Sequence, residues 1–272
     1  FDPDKLQVLE HEGEFYRVRG PLHVPPSPQG EPVLIQAGAS EAGRALAAES
    51  AEVVFGASQT LERAQEFYAD VKSRLAAHGR APDSLKIMPG LSVSVAETTE
   101  EAEAKWNELQ DLIDPKTGLA LLAERLHFDI SDCDINGPLP EMPTEDMDGS
   151  RVELIYEMAR RENMTIRDLY RHFGGTRGHK HITGSTVEVA DFMEEWVAEK
   201  GCDGFNIMPP VFPAGLQDFV DLVVPELQRR GLFRTKYEGS TLRENLELPR
   251  PPWAAADLDG SAPVSANTKA NA

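Results

Sequence analysis

Val33–Ser50, VLIQAGASEAGRALAAES, is the stretch that decides the fold. An apolar run stops at Gly38, passes through Ser40 and continues as an alanine-rich segment with helical composition. A strand that is apolar without alternation is buried on both faces. A helix directly behind it points to parallel strands covered by helices.

Working outward, the same grammar repeats. AEVVFGA reads as a second strand, followed by a helix over about 61–78. LKIMPGLSVSVA is a third strand, followed by helix TEEAEAKWNELQDLI, which Thr98 and Glu101 can open as a capping box. GCDGFNIMPP is a fourth, followed by GLQDFVDLVVPELQRRGLF, whose interior Pro225 interrupts. In the fourth strand, alternation sets Asn206 and Met208 on one face and Phe205 and Ile207 on the other. Between the third and fourth units lies an excursion from Asp114 to Lys200, with helix starts expected at Ser150/Glu153, Thr165/Asp168 and Ser185/Glu188. Upstream, LQVLEHEGEFYRVRG predicts a hairpin turning near Gly13, followed by a proline-rich connector.

Such units suit a (β/α) barrel or an open doubly wound sheet. Four are visible, whereas a closed barrel needs eight. The chain also opens at Phe1 in the middle of charged loop residues, so it is expected to be part of something longer. Its last residues, 249–272, are rich in Pro, Ala and Ser and poor in large apolar side chains, the composition of a disordered tail.

What the Gly38 corner holds can be read in four ways. A nucleophile elbow needs GxSxG, but in Gly38-Ala39-Ser40-Glu41-Ala42-Gly43 the second glycine falls one place too late. A dinucleotide fingerprint needs GxGxxG, and Ser40 stands where its middle glycine belongs. A phosphate cradle asks only for a flexible strand end, a capping hydroxyl and the free N–H groups of a first helical turn. A plain serine N-cap asks for less still. The residues alone leave these last two open.

Other candidates are fewer. GGTRGHKHITGS, residues 174–185, combines glycines with Arg177, His179 and His181 and reads either as a solvated loop or as a mobile loop that could place one imidazole and one guanidinium over a site. The His-x-His spacing suggests a metal pair, yet no third ligand has a recognisable spacing, and no metal is expected. The acidic loop from Ser131 to Ser150 reads as a solvated insertion.

Composition bounds the rest. With 272 residues, 40% apolar and 7% aromatic, the chain is an ordinary globular protein. No apolar run approaches the ~20 residues of a membrane span. A net charge of −19 disfavours nucleic acid and anionic membranes. Cys133 and Cys202 are far apart without CxxC spacing, which suits free thiols in a reducing cytoplasm.

VRGPLHVPPSPQGEPVLIQAGASEAGRALAAESAEVVFGA and GCDGFNIMPPVFPAGLQDFVDLVVPELQRRGLFRTKYEGSTLRENLEL resemble the large component of two-component flavin monooxygenases. These belong to the bacterial-luciferase-like superfamily, in the subgroup of nitrilotriacetate monooxygenase component A and dibenzothiophene-sulfone monooxygenase. The resemblance implies an α/β, TIM-type (β/α)8 barrel. Residues 1–248 would be its C-terminal part, strands five to eight, with a helical insertion at about 114–184. It implies reduced FMN and O2 as co-substrates, a small organic substrate, and a separate NAD(P)H:FMN oxidoreductase that supplies FMNH2 by diffusion. A homo-oligomer is also implied. The corner after the fifth strand would meet the FMN phosphate, which selects Ser40 with the N–H groups of Gly38 and Ala39. The late loop would bring a histidine beside the flavin, here His179, with the nearby His181 as the alternative. The competing expectations are a deazaflavin-dependent oxidoreductase of the same superfamily and a non-catalytic barrel fragment.

Overall fold

A computed structural model describes residues 8–21, 24, 27–141, 150–176 and 178–250. Phe1, Arg177, the acidic stretch 142–149, the side chain of Glu153 and the tail from 251 onward lie outside the described residues. The chain divides into two units, Phe1–Val33 with Glu238–Ala272, and Leu34–Tyr237.

The smaller unit contains the expected hairpin. Strand β1 (His11–Glu12) pairs antiparallel with β2 (Arg17–Val18), and the Gly13 N–H donates to the Tyr16 carbonyl at 2.9 Å across the turn. Near the other end of the chain, the buried Arg243 guanidinium donates to the carbonyls of Pro249, Glu31 and Pro32.

The larger unit is built from the four anticipated strand–helix pairs. Strand β3 (Ile35–Ala37) leads to α1 (Glu41–Ser50), and β4 (Val53–Phe55) leads to α2 (Leu61–Arg74). A 3-10 turn, Leu75–His78, prolongs α2 and ends at Gly79 in the left-handed conformation. The third strand is split into β5 (Lys86–Ile87) and β6 (Gly90–Ala96) around Pro89, which has no N–H to offer a neighbour. Helix α3 (Thr99–Asp111) follows, opened by the Thr98 hydroxyl accepting from the Glu101 N–H. After the insertion come α7 (Thr186–Ala198), β8 (Asn206–Ile207) and the last helix. That helix is α8 (Ala214–Asp218), a π-helical turn over Phe219–Val223, and α9 (Val224–Arg229) with Pro225 in its first turn. The interruption expected at Pro225 is thus absorbed by the wider turn ahead of it.

All strands of this unit are parallel. β4 lies between β3 and β5. Even-numbered amides of the third strand face β4, with Met88 N–H donating to Val54 O and Gly90 N–H to Gly56 O. Its odd-numbered carbonyls face β8, with Ile87, Pro89 and Leu91 accepting from Asp203, Asn206 and Met208. Strands β3, β4, β5–β6 and β8 therefore stand side by side in chain order, as successive βα units of a barrel wall do. The alternation in the fourth strand holds: Phe205 and Ile207 pack against the cluster of Leu91, Val93, Val95, Val189 and Phe219.

Three expectations need correction. β3 is not buried: Ile35 is 64% exposed, and β4 is its single partner strand among the described residues. The excursion holds more structure than expected. Helices α4 (Pro115–Leu126), α5 (Ser150–Arg161) and α6 (Ile166–Thr176) close a core of their own around Leu122, Leu126, Ile155, Ile166, Leu169 and Tyr170. Most important, the glycine–histidine segment is not a loop. Its start completes α6, and Lys180–Ser185 forms strand β7, which pairs with the whole upper length of β6 from Leu91 to Ala96. Gly175 serves close packing. A Cβ on Gly175 would stand 2.5 Å from both the Trp106 ring and the Gln110 amide, so only glycine lets α6 approach α3 there.

Candidate functional site

The Gly38 corner lies where β3 ends and α1 begins. Gly38 has φ +131°, a conformation that side chains oppose, so the chain turns there because the residue is glycine. Its N–H points to the Phe55 carbonyl at 3.4 Å, extending the β3–β4 ladder. That takes one of the expected phosphate donors out of the cradle and leaves the Ala39 N–H, which has no partner among the described residues. Ser40 is the N-cap: its Oγ accepts from the Gly43 N–H at 3.2 Å. A hydroxyl keeps its own hydrogen while accepting, so capping and donating to a ligand are compatible.

Charges around the corner are already committed. Arg44 Nε holds the Ala39 carbonyl at 2.9 Å, and its Nη1 pairs with Asp70 at 2.8 Å. Glu41, in the first turn, would repel an anion, but Arg74 grips its carboxylate with bonds of 2.6 and 2.9 Å. The hydrogen bonds from Arg74 hold the Glu41 carboxyl below the usual range. What the corner offers an anion is therefore backbone and hydroxyl hydrogen at the positive end of a 10-residue helix.

The histidines stand at the N-terminal start of β7. His179 lies just before β7, its ring centroid 5.1 Å from that of Phe55 at the end of β4. Both meet Met208 over Gly90. A Cβ on Gly90 would lie 2.6 Å from His179 Nδ1, 2.7 Å from Met208 Sδ and 2.9 Å from the Phe55 ring. Three strand ends thus converge on one missing side chain. His179 Nδ1 is buried and has no hydrogen-bond partner. Burial lowers the pKa of the ring, with the Gly56 backbone opposing, so it is held neutral.

His181 is a different case. Nδ1 lies 2.9 Å from Ser92 Oγ and Nε2 lies 2.8 Å from Thr183 Oγ1, and the ring stacks on Trp106 at 3.7 Å. Burial, with help from His172 and Lys180, pushes its pKa down to about 4. Both nitrogens are occupied, so of the two histidines only His179 keeps a nitrogen for a ligand. Among the described residues no group of three His, Cys, Asp or Glu side chains could hold a metal ion.

Beside His181 and Lys180 a cleft of about 460 Å³ opens. The end of α5 and the turn after it contribute Arg161 and Glu162, α6 contributes His172, and the β4–α2 connection contributes Gln59 and Thr60. Gln59 closes one rim by donating to the Gly178 carbonyl at 2.7 Å. This cleft escaped the sequence reading because its residues lie up to 122 positions apart, from Gln59 to His181.

Residues 6–152 match the family model described as luciferase-like monooxygenase. The chain belongs to that family. N-acetyl-S-(2-succino)cysteine monooxygenase of Bacillus subtilis (strain 168) is 52% identical over 254 residues, covering 92% of this chain and 58% of that protein. Nitrilotriacetate monooxygenase component A of Aminobacter aminovorans is 52% identical over 250 residues, covering 91% and 55%. Among solved structures, DmoA from Hyphomicrobium sulfonivorans superimposes with a TM-score of 0.77 at 34% identity, covering 89% of this chain and 51% of that one. Riboflavin lyase (RcaE), solved with modified FMN and riboflavin, gives a TM-score of 0.71 at 33% identity, covering 90% and 54%. The chain therefore spans between half and three-fifths of the length of these family members. The α/β barrel implied by the resemblance is the fold of this family.

Proposed function

We propose that this chain is the part of a flavin-dependent monooxygenase that carries barrel strands five to eight, and that the enzyme oxygenates a small organic substrate with reduced FMN and O2. The observation that carries the reading is 52% identity, over more than nine-tenths of this chain, to two enzymes named monooxygenases. One of them is named as a component A, which supports a separate NAD(P)H:FMN oxidoreductase as the source of reduced flavin. FMN is favoured because a structural relative was solved with a modified FMN.

The residues fit such a cofactor. Gly38 opens the corner, the Ser40 hydroxyl and the Ala39 and first-turn N–H groups supply donors, and the Gly43 position leaves no bulk beside Ser40 Oγ. Bound reduced FMN would supply the electrons that activate O2. The protein's own part is to hold the phosphate at the α1 N-terminus and to present His179 at the neighbouring strand ends. A neutral His179, with a nitrogen free, can accept or deliver a proton near neutral pH.

The test is a pair of substitutions at Ser40, read by quenching of FMN fluorescence. A charge-assisted hydrogen bond is worth roughly 1.5–3 kcal/mol, so Ser40→Ala should weaken FMN about tenfold or more. Ser40→Asp should weaken it further, because it sets a carboxylate against the phosphate while still capping α1. A serine that only caps is replaced by aspartate without loss. Unchanged affinity in Ser40→Asp would reject the phosphate assignment. Tighter binding of a deazaflavin than of FMN would redirect the cofactor.

A further inference from the structure

One side chain of the GFNIMPP stretch takes no part in the proposed function. Met208 follows β8 on the face of Asn206, opposite Phe205 and Ile207, which pack against the cluster around Leu91 and Val93. Its N–H donates to the Leu91 carbonyl at 2.9 Å, so the backbone is fixed where the side chain leaves it. The sulfur lands among the converging strand ends. Sδ lies 2.7 Å from where a Cβ on Gly90 would stand, and His179 Nδ1 lies 2.6 Å from the same point. The Met208 side chain is half-buried and keeps a solvent-facing part. Other described methionines are placed elsewhere. Met158 and Met164 pack against the core of the insertion and Met193 against the Leu91 cluster, and Met88 turns its methyl, Cε, toward Gly204.

A thioether sulfur is a weak acceptor, which suits an Nδ1 that has no hydrogen-bond partner. The Gly56 backbone favours the protonated ring, and with Nδ1 unpartnered that contact belongs to Nε2. A proton on Nε2 leaves Nδ1 bare in the neutral imidazole. Oxidation of the sulfur changes the balance, because a sulfoxide is polar and its oxygen accepts hydrogen bonds. An Nδ1–H of the imidazolium would then gain a charge-assisted partner. Among the described residues, the elements around the ring bring Phe55, Gly56, Gly90, Thr176 and Met208, none of them titratable. Lys180 and His181 of its own segment are the ionisable neighbours.

Resting on the monooxygenase reading above for its oxidant, we propose that Met208 is the oxidation site of this strand-end cluster: hydrogen peroxide converts it to the sulfoxide, which holds His179 through Nδ1 as the imidazolium and stops it from accepting a proton. The O–O bond breaks and an S–O bond forms. Sulfur gives up two electrons, and the second oxygen leaves as water. The peroxide is O2 with two electrons and two protons, which a reduced flavin delivers when no organic substrate takes the oxygen. The modification slows an enzyme that turns over without substrate, and a methionine sulfoxide reductase reverses it.

The experiment adds hydrogen peroxide to the protein, follows each methionine by peptide mass spectrometry, and titrates the His179 ring signals with pH by NMR. Met208 should oxidise at least about threefold faster than Met158, Met164 or Met193. The His179 midpoint should move to higher pH in the oxidised sample and return after treatment with the reductase. In Met208→Leu, a volume-conserving exchange, peroxide should leave that midpoint unmoved. Met208→Gln, which offers an amide oxygen in place of the sulfoxide, should raise it without peroxide. Met208 left intact while the other methionines oxidise overturns the proposal. So does a Met208 sulfoxide with an unmoved His179 midpoint, or the same shift in Met208→Leu. The peroxide and reductase arms use the unmutated protein and stand even if a variant fails to fold. The cofactor reading fails separately: a protein that binds no FMN yet forms the Met208 sulfoxide and shifts His179 loses the flavin assignment alone, and one that binds FMN with Met208 untouched by peroxide loses this proposal alone.

Discussion

His181 shows what one buried imidazole costs. In the unfolded chain its pKa is the ordinary 6.5, and in the folded chain burial lowers it to about 4. Between these values the unfolded state binds the extra proton, so stability rises with pH through that window. It is fully present above about 6.5 and is lost as pH falls toward 4. The size is of order 3 kcal/mol, and His172 and His179 are shifted in the same direction. Urea melts at a series of pH values should therefore show a steep loss of stability between pH 6.5 and 4. His181→Gln should flatten much of that slope, whatever it does to the plateau. An unaltered slope in the variant would show that other groups set the acid limit. Of the two histidines in the His-x-His pair, residue type and spacing alone could not decide which is free. The answer depends on Ser92 and Thr183, hydroxyls brought to His181 by strand pairing.

At the scale of elements, helix starts were the most legible feature. Ser185 and Glu188 form a reciprocal capping box on α7, Thr98 caps α3, and Ser40 caps α1. Each rests on a side-chain oxygen and a backbone N–H three residues apart, joined at α7 by the Glu188 side chain, so sequence contains the whole interaction. Ser185 also closes β7, and Glu188 accepts from the Thr99 hydroxyl at 2.5 Å, which ties the box to the start of α3. Ser185→Ala should lower stability by about 1 kcal/mol, seen as a lower urea midpoint with an unchanged m-value. An unmoved midpoint would mean that the Glu188 side chain alone satisfies the helix end. The strand in the glycine–histidine segment was not legible for the opposite reason. KHITGS has only Ile182 as a large apolar side chain, and its strand state is imposed by β6, which lies about 90 positions earlier. Propensity is local, and this pairing is not.

For the whole molecule the exposed β3 is the feature with consequences. Ile35 is 64% exposed and Leu34 47%, and a parallel edge with free backbone groups invites pairing with another chain. Ile35→Lys should reduce self-association of the isolated 272-residue chain in light scattering while leaving its melting temperature within a few degrees. A parent chain that is already monodisperse and monomeric would remove the edge from consideration. Sequence by itself determined the four βα units, their parallel order, the caps and the family, because each is written in contiguous apolar runs or in spacings of three or four residues. Tertiary structure alone decided that the Gly38 N–H is drawn into the β3–β4 ladder, that His179 keeps a free nitrogen while His181 does not, and that Lys180 and His172 border one cleft. Those outcomes depend on which backbones lie side by side. Strand pairing between residues some 20 to 120 positions apart is fixed by the collective burial of the core, not by any local signal in the chain.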